Sequence, residues 1–79
     1  MNVLEGHTDN INAIVADTQH LFSVSDDGTL RSYAKDDFTQ VALKVDARPI
    51  SSILSHDEYL FISNAEGAIL KIPKVLVTA

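Results

Sequence analysis

Short runs of β-branched, aromatic, aliphatic and hydroxyl side chains recur along the whole chain, and they predict β-strands rather than helices. No segment of about eleven residues or more carries an apolar stripe with helical spacing. The pattern predicts strands at 11–15, 21–25, 29–33, 41–45, 50–54, 59–63 and 68–72, with a shorter one at 2–4. Turn signals separate these runs. The strongest is Asp27-Gly28, because glycine supplies the positive φ that a tight hairpin turn needs.

The same pattern occurs twice. Shifting the sequence by 39 positions superimposes Ile11 on Ile50 and Gly28 on Gly67 without an insertion. The same shift matches Leu4 with Leu43, Ile14 with Ile53, Leu21 with Leu60 and Phe22 with Phe61. Four short strands in about 40 residues are typical of β-propeller blades. We therefore predict an all-β chain, a single unit of two repeats at about 2–40 and 41–79, each forming a four-stranded antiparallel propeller blade.

Composition and charge narrow the range of functions. The 79 residues are 46% hydrophobic and 22% charged, a balance typical of a small globular domain. The chain has no cysteine, which excludes disulfides and thiol catalysis and fits an intracellular, cytoplasmic setting. Eleven acidic residues against six scattered basic ones give a net charge of −5, which disfavours binding to nucleic acid or to anionic membranes.

A histidine and a serine-rich strand in repeat one resemble a known family. Repeat one carries Gly6-His7, followed by the run Leu-Phe-Ser-Val-Ser-Asp-Asp-Gly-Thr-Leu-Arg-Ser-Tyr at 21–33. This combination resembles the WD-repeat β-propeller family, and the resemblance extends over essentially the whole chain. In that family a histidine, a serine or threonine, an aspartate and a tryptophan form a hydrogen-bonded network inside each blade. The resemblance places this structural network at His7, Ser23, Asp27 and Tyr33, with tyrosine in place of tryptophan.

Repeat two departs from the family pattern. Its matching positions are Asp46, Ile62, Glu66 and Ile72. We expect the polar network to be absent there and apolar packing to replace it, since a buried polar network can be exchanged for apolar side chains when all its members change together. The apolar pattern and the turn glycine remain, so the blade prediction is unchanged.

Two blades are fewer than a propeller needs, because the ring closes with about four to eight. Two explanations stay open. The chain is a homo-oligomer building block, in which three copies would give six blades and four would give eight, or it is part, natural or engineered, of a longer propeller. The last strand of the second blade is expected either from 2–4 of a neighbouring copy or from 75–77.

The candidate catalytic and metal-binding residues have simpler structural interpretations. His7 is a possible base or ligand, but its position beside Gly6 favours the blade network. The acid pairs at 26–27 and 36–37 lack the continuation of a calcium-binding loop and fit turns. No nucleophile-elbow motif surrounds Ser23 or Ser25. We therefore expect no enzyme activity, no metal and no cofactor.

The family resemblance also implies a partner-binding surface. Family members tend to bind partners through residues at the start of each blade's first strand and before the turn acid. These positions correspond to Asn10, Asn12 and Asp26 in repeat one, and to Pro49, Ser51 and Ala65 in repeat two. The expected function is a scaffold for protein–protein interaction, with an unknown protein or copies of itself as the partner. The alternatives are a purely self-assembling building block and, with less support, an enzyme with a site in the channel of a completed ring.

Overall fold

The computed structural model describes residues 6–78, and within this range the chain folds into seven β-strands and one single-turn 3-10 helix. The strands are β1 (Ile11–Ala16), β2 (His20–Ser25), β3 (Thr29–Ala34), β4 (Gln40–Lys44), β5 (Ile50–His56), β6 (Tyr59–Asn64) and β7 (Ile69–Pro73), and the 3-10 helix is Lys74–Leu76. In the described part of the chain no helix is long and apolar enough to cross a membrane. The all-β prediction is confirmed. The predicted strand at 2–4 and the match of Leu4 with Leu43 lie outside the described residues.

The strands form two antiparallel sheets, each a simple up-and-down meander. Sheet one consists of β1–β4 in sequence order, and sheet two consists of β5–β7. In sheet one Phe22 pairs with Val15. In sheet two Phe61 pairs with Leu54, and both partners lie 39 positions further along the chain. The repeat therefore reproduces strand pairing as well as composition.

Equivalent hairpin turns join the second and third strands of each sheet. Gly28 has a φ of 79° and Gly67 a φ of 87°. The N–H of Gly28 donates to the carbonyl of Ser25 at 3.1 Å, and the N–H of Gly67 donates to the carbonyl of Asn64 at 3.1 Å. Side chains strongly disfavour this backbone region, so the prediction of two glycine turns is confirmed.

Of the two sources expected for the last strand of the second blade, 75–77 is wrong, because it forms no strand, and sheet two has three strands among the described residues rather than four. The segment forms the 3-10 helix Lys74–Leu76 instead. Val77 is completely buried, and its carbonyl accepts a hydrogen bond from the Ser32 hydroxyl of sheet one. Burial of Val77 against the other sheet therefore directs this segment away from the edge of β7.

The two sheets pack face to face and share one hydrophobic core. Alternation along each strand sends every second side chain to the inner face. The most deeply buried members are Phe22, Val24 and Leu30 from sheet one and Leu60 and Ile62 from sheet two. Burying an aliphatic or aromatic side chain of this size stabilises the fold by about 1.5–3 kcal/mol. The contact between the sheets is therefore the main source of hydrophobic stabilisation in this short chain.

Polar contacts join the two sheets at both ends. At the end where the Gly28 turn lies, Asn12 Nδ2 donates to the carbonyl of Ile50 at 2.8 Å. At the opposite end, Lys74 Nζ lies 3.0 Å from Asp17 Oδ2, and both side chains are largely buried. These contacts fix the orientation of one sheet relative to the other, and so determine where the loop residues of the two sheets lie.

The two turn glycines provide a matched pair of substitutions. A methyl group at Gly28 would lie 1.9 Å from the carbonyl oxygen of Asp46, whereas one at Gly67 would meet no atom within 4 Å. Both alanine variants incur the cost of positive φ, about 1–2 kcal/mol. Gly28→Ala is expected to lose about 1–3 kcal/mol more, because the chain segment after β4 must move. Urea unfolding followed by circular dichroism measures both, and equal losses would contradict a close approach at Gly28.

Candidate functional site

A histidine, a serine and an aspartate from three segments meet on sheet one. His7 precedes β1, Ser23 lies on β2, and Asp27 lies in the turn before β3. His7 Nδ1 is 3.1 Å from Asp27 Oδ2, and His7 Nε2 is 2.6 Å from Ser23 Oγ. Because an ionised carboxylate only accepts hydrogen bonds, Nδ1–H donates to Asp27, and in the neutral imidazole Nε2 then accepts a hydrogen bond from the Ser23 hydroxyl. The structure thus brings together three of the four residues that the family resemblance implies.

Asp27 is the centre of this network. Its Oδ2 also accepts a hydrogen bond from the N–H of Thr8 at 3.0 Å, and its Oδ1 accepts one from the N–H of Thr29 at 2.9 Å. The Thr29 hydroxyl donates to the same Oδ1. Burial raises the pKa of Asp27, but hydrogen bonds from Thr29, Thr8 and His7 outweigh it and hold the pKa well below the ordinary value of 3.8. The ionised carboxylate therefore ties the segment before β1 to the hairpin turn.

Tyr33, the fourth predicted member, occupies a different position. It is only 5% exposed. Among the described residues its hydroxyl forms no hydrogen bond with His7, Ser23 or Asp27. Tyr33 instead lines an apolar depression of about 70 Å³ together with Ile11, Ile14, Leu21 and Ser23. Its contribution is therefore packing rather than hydrogen bonding to the network.

The Asp27–His7–Ser23 arrangement has the composition of a hydrolytic triad. In that chemistry an accessible serine attacks the substrate while nearby N–H groups stabilise the oxyanion. The His7 side chain is only 2% exposed, and Ser23 is 3% exposed. The adjoining depression of about 70 Å³ is far smaller than the several hundred Å³ of ordinary ligand pockets. This geometry suits a structural cross-link within sheet one better than attack on a substrate.

A second polar network occupies the equivalent region of repeat two, so the expectation that this repeat would have none is wrong. Asn64 Nδ2 donates to Asp46 Oδ2 at 2.8 Å. Arg48 Nε donates to Asp46 Oδ1 at 3.1 Å, and Arg48 Nη1 donates to Glu66. Hydrogen bonds from Asn64 and Arg48 lower the pKa of Asp46 to about 2. A carboxylate with two polar partners thus replaces the histidine.

The apolar part of the expectation for repeat two agrees with the structure. Ile62 is 1% exposed, and the half-buried Ile72 packs against the core. Sequence reasoning missed Asn64 and Arg48, because neither occupies a position of the family network. The available signal was the asparagine ahead of the Gly67 turn, since asparagine often accepts backbone hydrogen bonds in turns. Asn64 Oδ1 accepts two of them, from the N–H groups of residues 66 and 68, each at 3.0 Å.

Both sheets have a β-bulge near the start of their first strand. The strand register shifts at Asn12 in β1 and at Ser51 in β5, and 39 positions separate these two residues. A bulge leaves one residue outside the hydrogen-bonding ladder and re-aims its side chain. We call the region formed by Asn10, Asn12, Asp26, Pro49, Ser51 and Ala65 the bulge edge. These six residues are the positions predicted for partner contact.

Equivalent backbone hydrogen bonds hold the bulge edge in both repeats. The N–H of Asp26 donates to the carbonyl of Asn10 at 2.9 Å. The N–H of Ala65 donates to the carbonyl of Pro49 at 3.0 Å, which is the equivalent contact. Asn12 Nδ2 also donates to Asp26 Oδ1 at 2.7 Å. The loops of this edge are therefore held by backbone and side-chain hydrogen bonds.

The surroundings of the bulge edge are acidic. Among the described residues, the carboxylates near it are Asp9, Asp26, Asp27, Asp46 and Glu66, whereas the cations are Lys44 and Arg48. The Glu66 side chain is 65% exposed and Asp9 is also exposed. An excess of carboxylates on one edge produces a negative potential that attracts basic groups.

The acidic turns have local explanations. Asp26 and Asp27 accept the hydrogen bonds described above, and Asp37 Oδ1 accepts one from the N–H of Thr39 at 3.0 Å. Such contacts are the usual role of aspartate in turns. Among residues 6–78, no three histidine, aspartate or glutamate side chains are grouped closely enough to hold a metal ion.

Comparisons with family models, with curated proteins and with solved structures found no match to this chain. The relation to WD-repeat proteins stays a resemblance that rests on the residues of repeat one. Function is therefore inferred from the two polar networks, the bulge edge and the sheet faces.

Removal of the network histidine is expected to destabilise the fold. His7→Ala deprives the Ser23 hydroxyl of its acceptor and Asp27 of a donor, so the free energy of unfolding should fall by about 1–3 kcal/mol. His56→Ala is the control, since that side chain is 72% exposed, and its effect should stay within about 0.5 kcal/mol. Urea denaturation measures both. Equal losses would rule out a structural role for the network.

Acid should weaken the fold through Asp27 and Asp46. Because their folded-state pKa values lie below 3.8, the unfolded chain binds protons that the folded chain does not. Stability is therefore fully present above about pH 5, decreases as the pH falls through about 4, and loses most of the contribution of Asp46 by about pH 2. Asp46→Asn should flatten this dependence in unfolding curves recorded from pH 5 to pH 2. An unchanged slope would contradict the assignment.

Proposed function

We propose that the chain is a protein-binding scaffold whose two sheets act as blades of a larger β-propeller of the WD-repeat type. The observation that carries the proposal is the pair of equivalent bulges at Asn12 and Ser51. Bulges are over-represented next to functional sites, where they re-aim side chains. Two of them at the same end of a repeated fold favour a single docking surface that extends over both sheets.

The hydrogen bonding of the bulge edge supports a docking role. Asn12 bonds to Asp26 within sheet one and to the carbonyl of Ile50 in sheet two, so one side chain links the two halves of the edge. Loops that are already held in place lose little conformational freedom when a partner binds. The bulge edge therefore presents exposed side chains, such as Asn10 and Pro49, in fixed positions.

The charge of the edge indicates the chemistry of the partner. Exposed Asp9 and Glu66 flank the predicted contact residues, and the whole chain carries a net charge of −5. A protein surface that presents lysine, arginine or amide donors fits this edge, because complementary charge speeds association and selects partners. We propose a non-catalytic role, since the base-and-nucleophile geometry of His7 and Ser23 is buried.

Substitutions on the bulge edge test this function. Proteins that bind the immobilised chain would be identified by mass spectrometry and purified, and their dissociation constants would be measured by calorimetry. The double variant Asn10→Ala/Pro49→Ala should raise Kd about tenfold or more, as truncation of central contact residues does. Asp36→Ala is the control, because Asp36 is exposed in the β3–β4 turn at the opposite end of sheet one. Equal Kd values for all three chains would exclude the bulge edge as the docking surface.

A further inference from the structure

Each sheet buries one face against the other, and among the described residues the second face of each sheet stays partly exposed. On sheet one this face includes Ile14, which is 61% exposed, and the apolar depression of about 70 Å³ described above, whose members Ser23 and Tyr33 are buried. On sheet two it includes Leu54, 61% exposed, and Ile69, 74% exposed, with the half-buried Phe61 between them. We call these the Ile14 face and the Leu54 face. Exposed apolar surfaces of this kind commonly mark interaction sites.

The repeat relates each uncovered face to a covered one. The Leu54 face includes Leu54, Phe61 and Ile69, which stand 39 positions after Val15, Phe22 and Leu30, and these three belong to the face of sheet one that sheet two covers. On the Leu54 face Ser63 takes the position of the buried Val24. The Ile14 face includes Ile14, Leu21 and Tyr33, which stand 39 positions before Ile53, Leu60 and Ile72 on the covered face of sheet two. The two open faces therefore repeat the two halves of the internal contact.

The residues of the depression extend this relation. Its five lining residues are Ile11, Ile14, Leu21, Ser23 and Tyr33. Their equivalents 39 positions later are Ile50, Ile53, Leu60, Ile62 and Ile72, and all five belong to the inter-sheet core or pack against it. The equivalent positions on sheet two are covered by side chains of sheet one. A sheet that packed on the Ile14 face in the same way would therefore fill the depression.

A further uncovered aromatic side chain fits the same relation. Phe38 is 42% exposed and lies in the turn between β3 and β4. It stands 39 positions before Val77. Val77 lies in the last segment of sheet two and is completely buried against sheet one. An exposed aromatic at this point is explained if it packs against a neighbouring sheet, as Val77 does.

We infer that a second copy of this chain docks its Ile14 face on the Leu54 face, in the way that sheet two docks on sheet one. The contact joins unlike faces, so it is head-to-tail, and each copy retains one open face for the next. It goes beyond the proposed docking at the bulge edge and uses different residues. Only its closure into a ring of three or four copies rests on the proposed propeller, which needs about six to eight blades for those numbers.

One of the two polar differences on the Ile14 face, Ser23, is compatible with this contact, whereas the Nε of the other, Arg31, is buried without a hydrogen-bond partner among the described residues. Ser23 and Arg31 replace Ile62 and Leu70 of the equivalent covered face. The Ser23 hydroxyl is bound to His7, so it presents no unpaired donor to a docking surface. On the opposing Leu54 face, Lys71 stacks over the Tyr59 ring, with its Nζ 4.0 Å from the ring centre. A cation held in this way leaves Leu54 and Ile69 available for apolar contact.

Two charge substitutions test the head-to-tail contact. Ile14→Glu and Leu54→Glu each change an exposed side chain, so the fold should persist, and circular dichroism checks it. Light scattering after gel filtration should give three or four copies for the wild-type chain and a monomer of 8.6 kDa for each variant. A mixture of the two variants should form a 1:1 dimer, because one retains an intact Ile14 face and the other an intact Leu54 face.

The control is Val75→Glu, which places the same charge on a residue that is 77% exposed outside both faces, and it should assemble like the wild-type chain. A monomeric wild-type chain, or variants that remain assembled, would overturn the inference. Failure of the mixture to form a dimer would overturn the head-to-tail pairing, and a dimer of one variant alone would show that like faces meet instead. Open-ended wild-type oligomers of many sizes would support the contact and refute the ring. The Kd of a partner at the bulge edge tests the docking function separately.

Discussion

Packing of sheet one against sheet two holds this chain in its fold, because neither sheet has any other apolar layer to cover its inner face among the described residues. A sheet of three or four short strands needs a hydrophobic face, or packing against another layer, to be stable in water. Phe22 and Leu30 from one sheet and Leu60 and Ile62 from the other exclude water from that contact. The position of every loop at the bulge edge depends on this single interface.

Within each sheet, a polar network ties a loop to the hairpin turn. In repeat one, a buried histidine and carboxylate tie the segment before β1 to the hairpin turn. In repeat two, a hydrogen bond between Asp46 and Asn64 similarly ties the segment between β4 and β5 to the turn before β7. Arg48 adds an ion pair with Glu66. The two repeats therefore make equivalent connections with different side chains. What they have in common is a carboxylate that accepts several hydrogen bonds close to the turn glycine.

Sequence reasoning was most reliable where local chemistry decides the outcome. The Asp27-Gly28 turn and the runs around Ile14 and Leu60 follow from glycine's backbone freedom and from strand-forming side chains, both of which act over a few residues. The conformation of residues 75–77 does not follow from such local signals. Val77 has the composition of a strand residue, but its burial beside Ser32 depends on a sheet that is distant in sequence. The Arg48 bridge was missed for the same reason, since its partner Glu66 lies 18 positions away.

The sequence by itself determined the strands, the two glycine turns and the 39-residue repeat, because strand propensity, turn conformation and periodicity are local properties. It also placed His7, Ser23 and Asp27 in one predicted network through their resemblance to a family. Only the tertiary structure decided which face of each sheet is covered, since alternation supplies two faces per sheet without ranking them. The same packing decided that sheet two ends after three described strands and that Leu54 and Ile69 stay exposed, because no residue of the described chain reaches them.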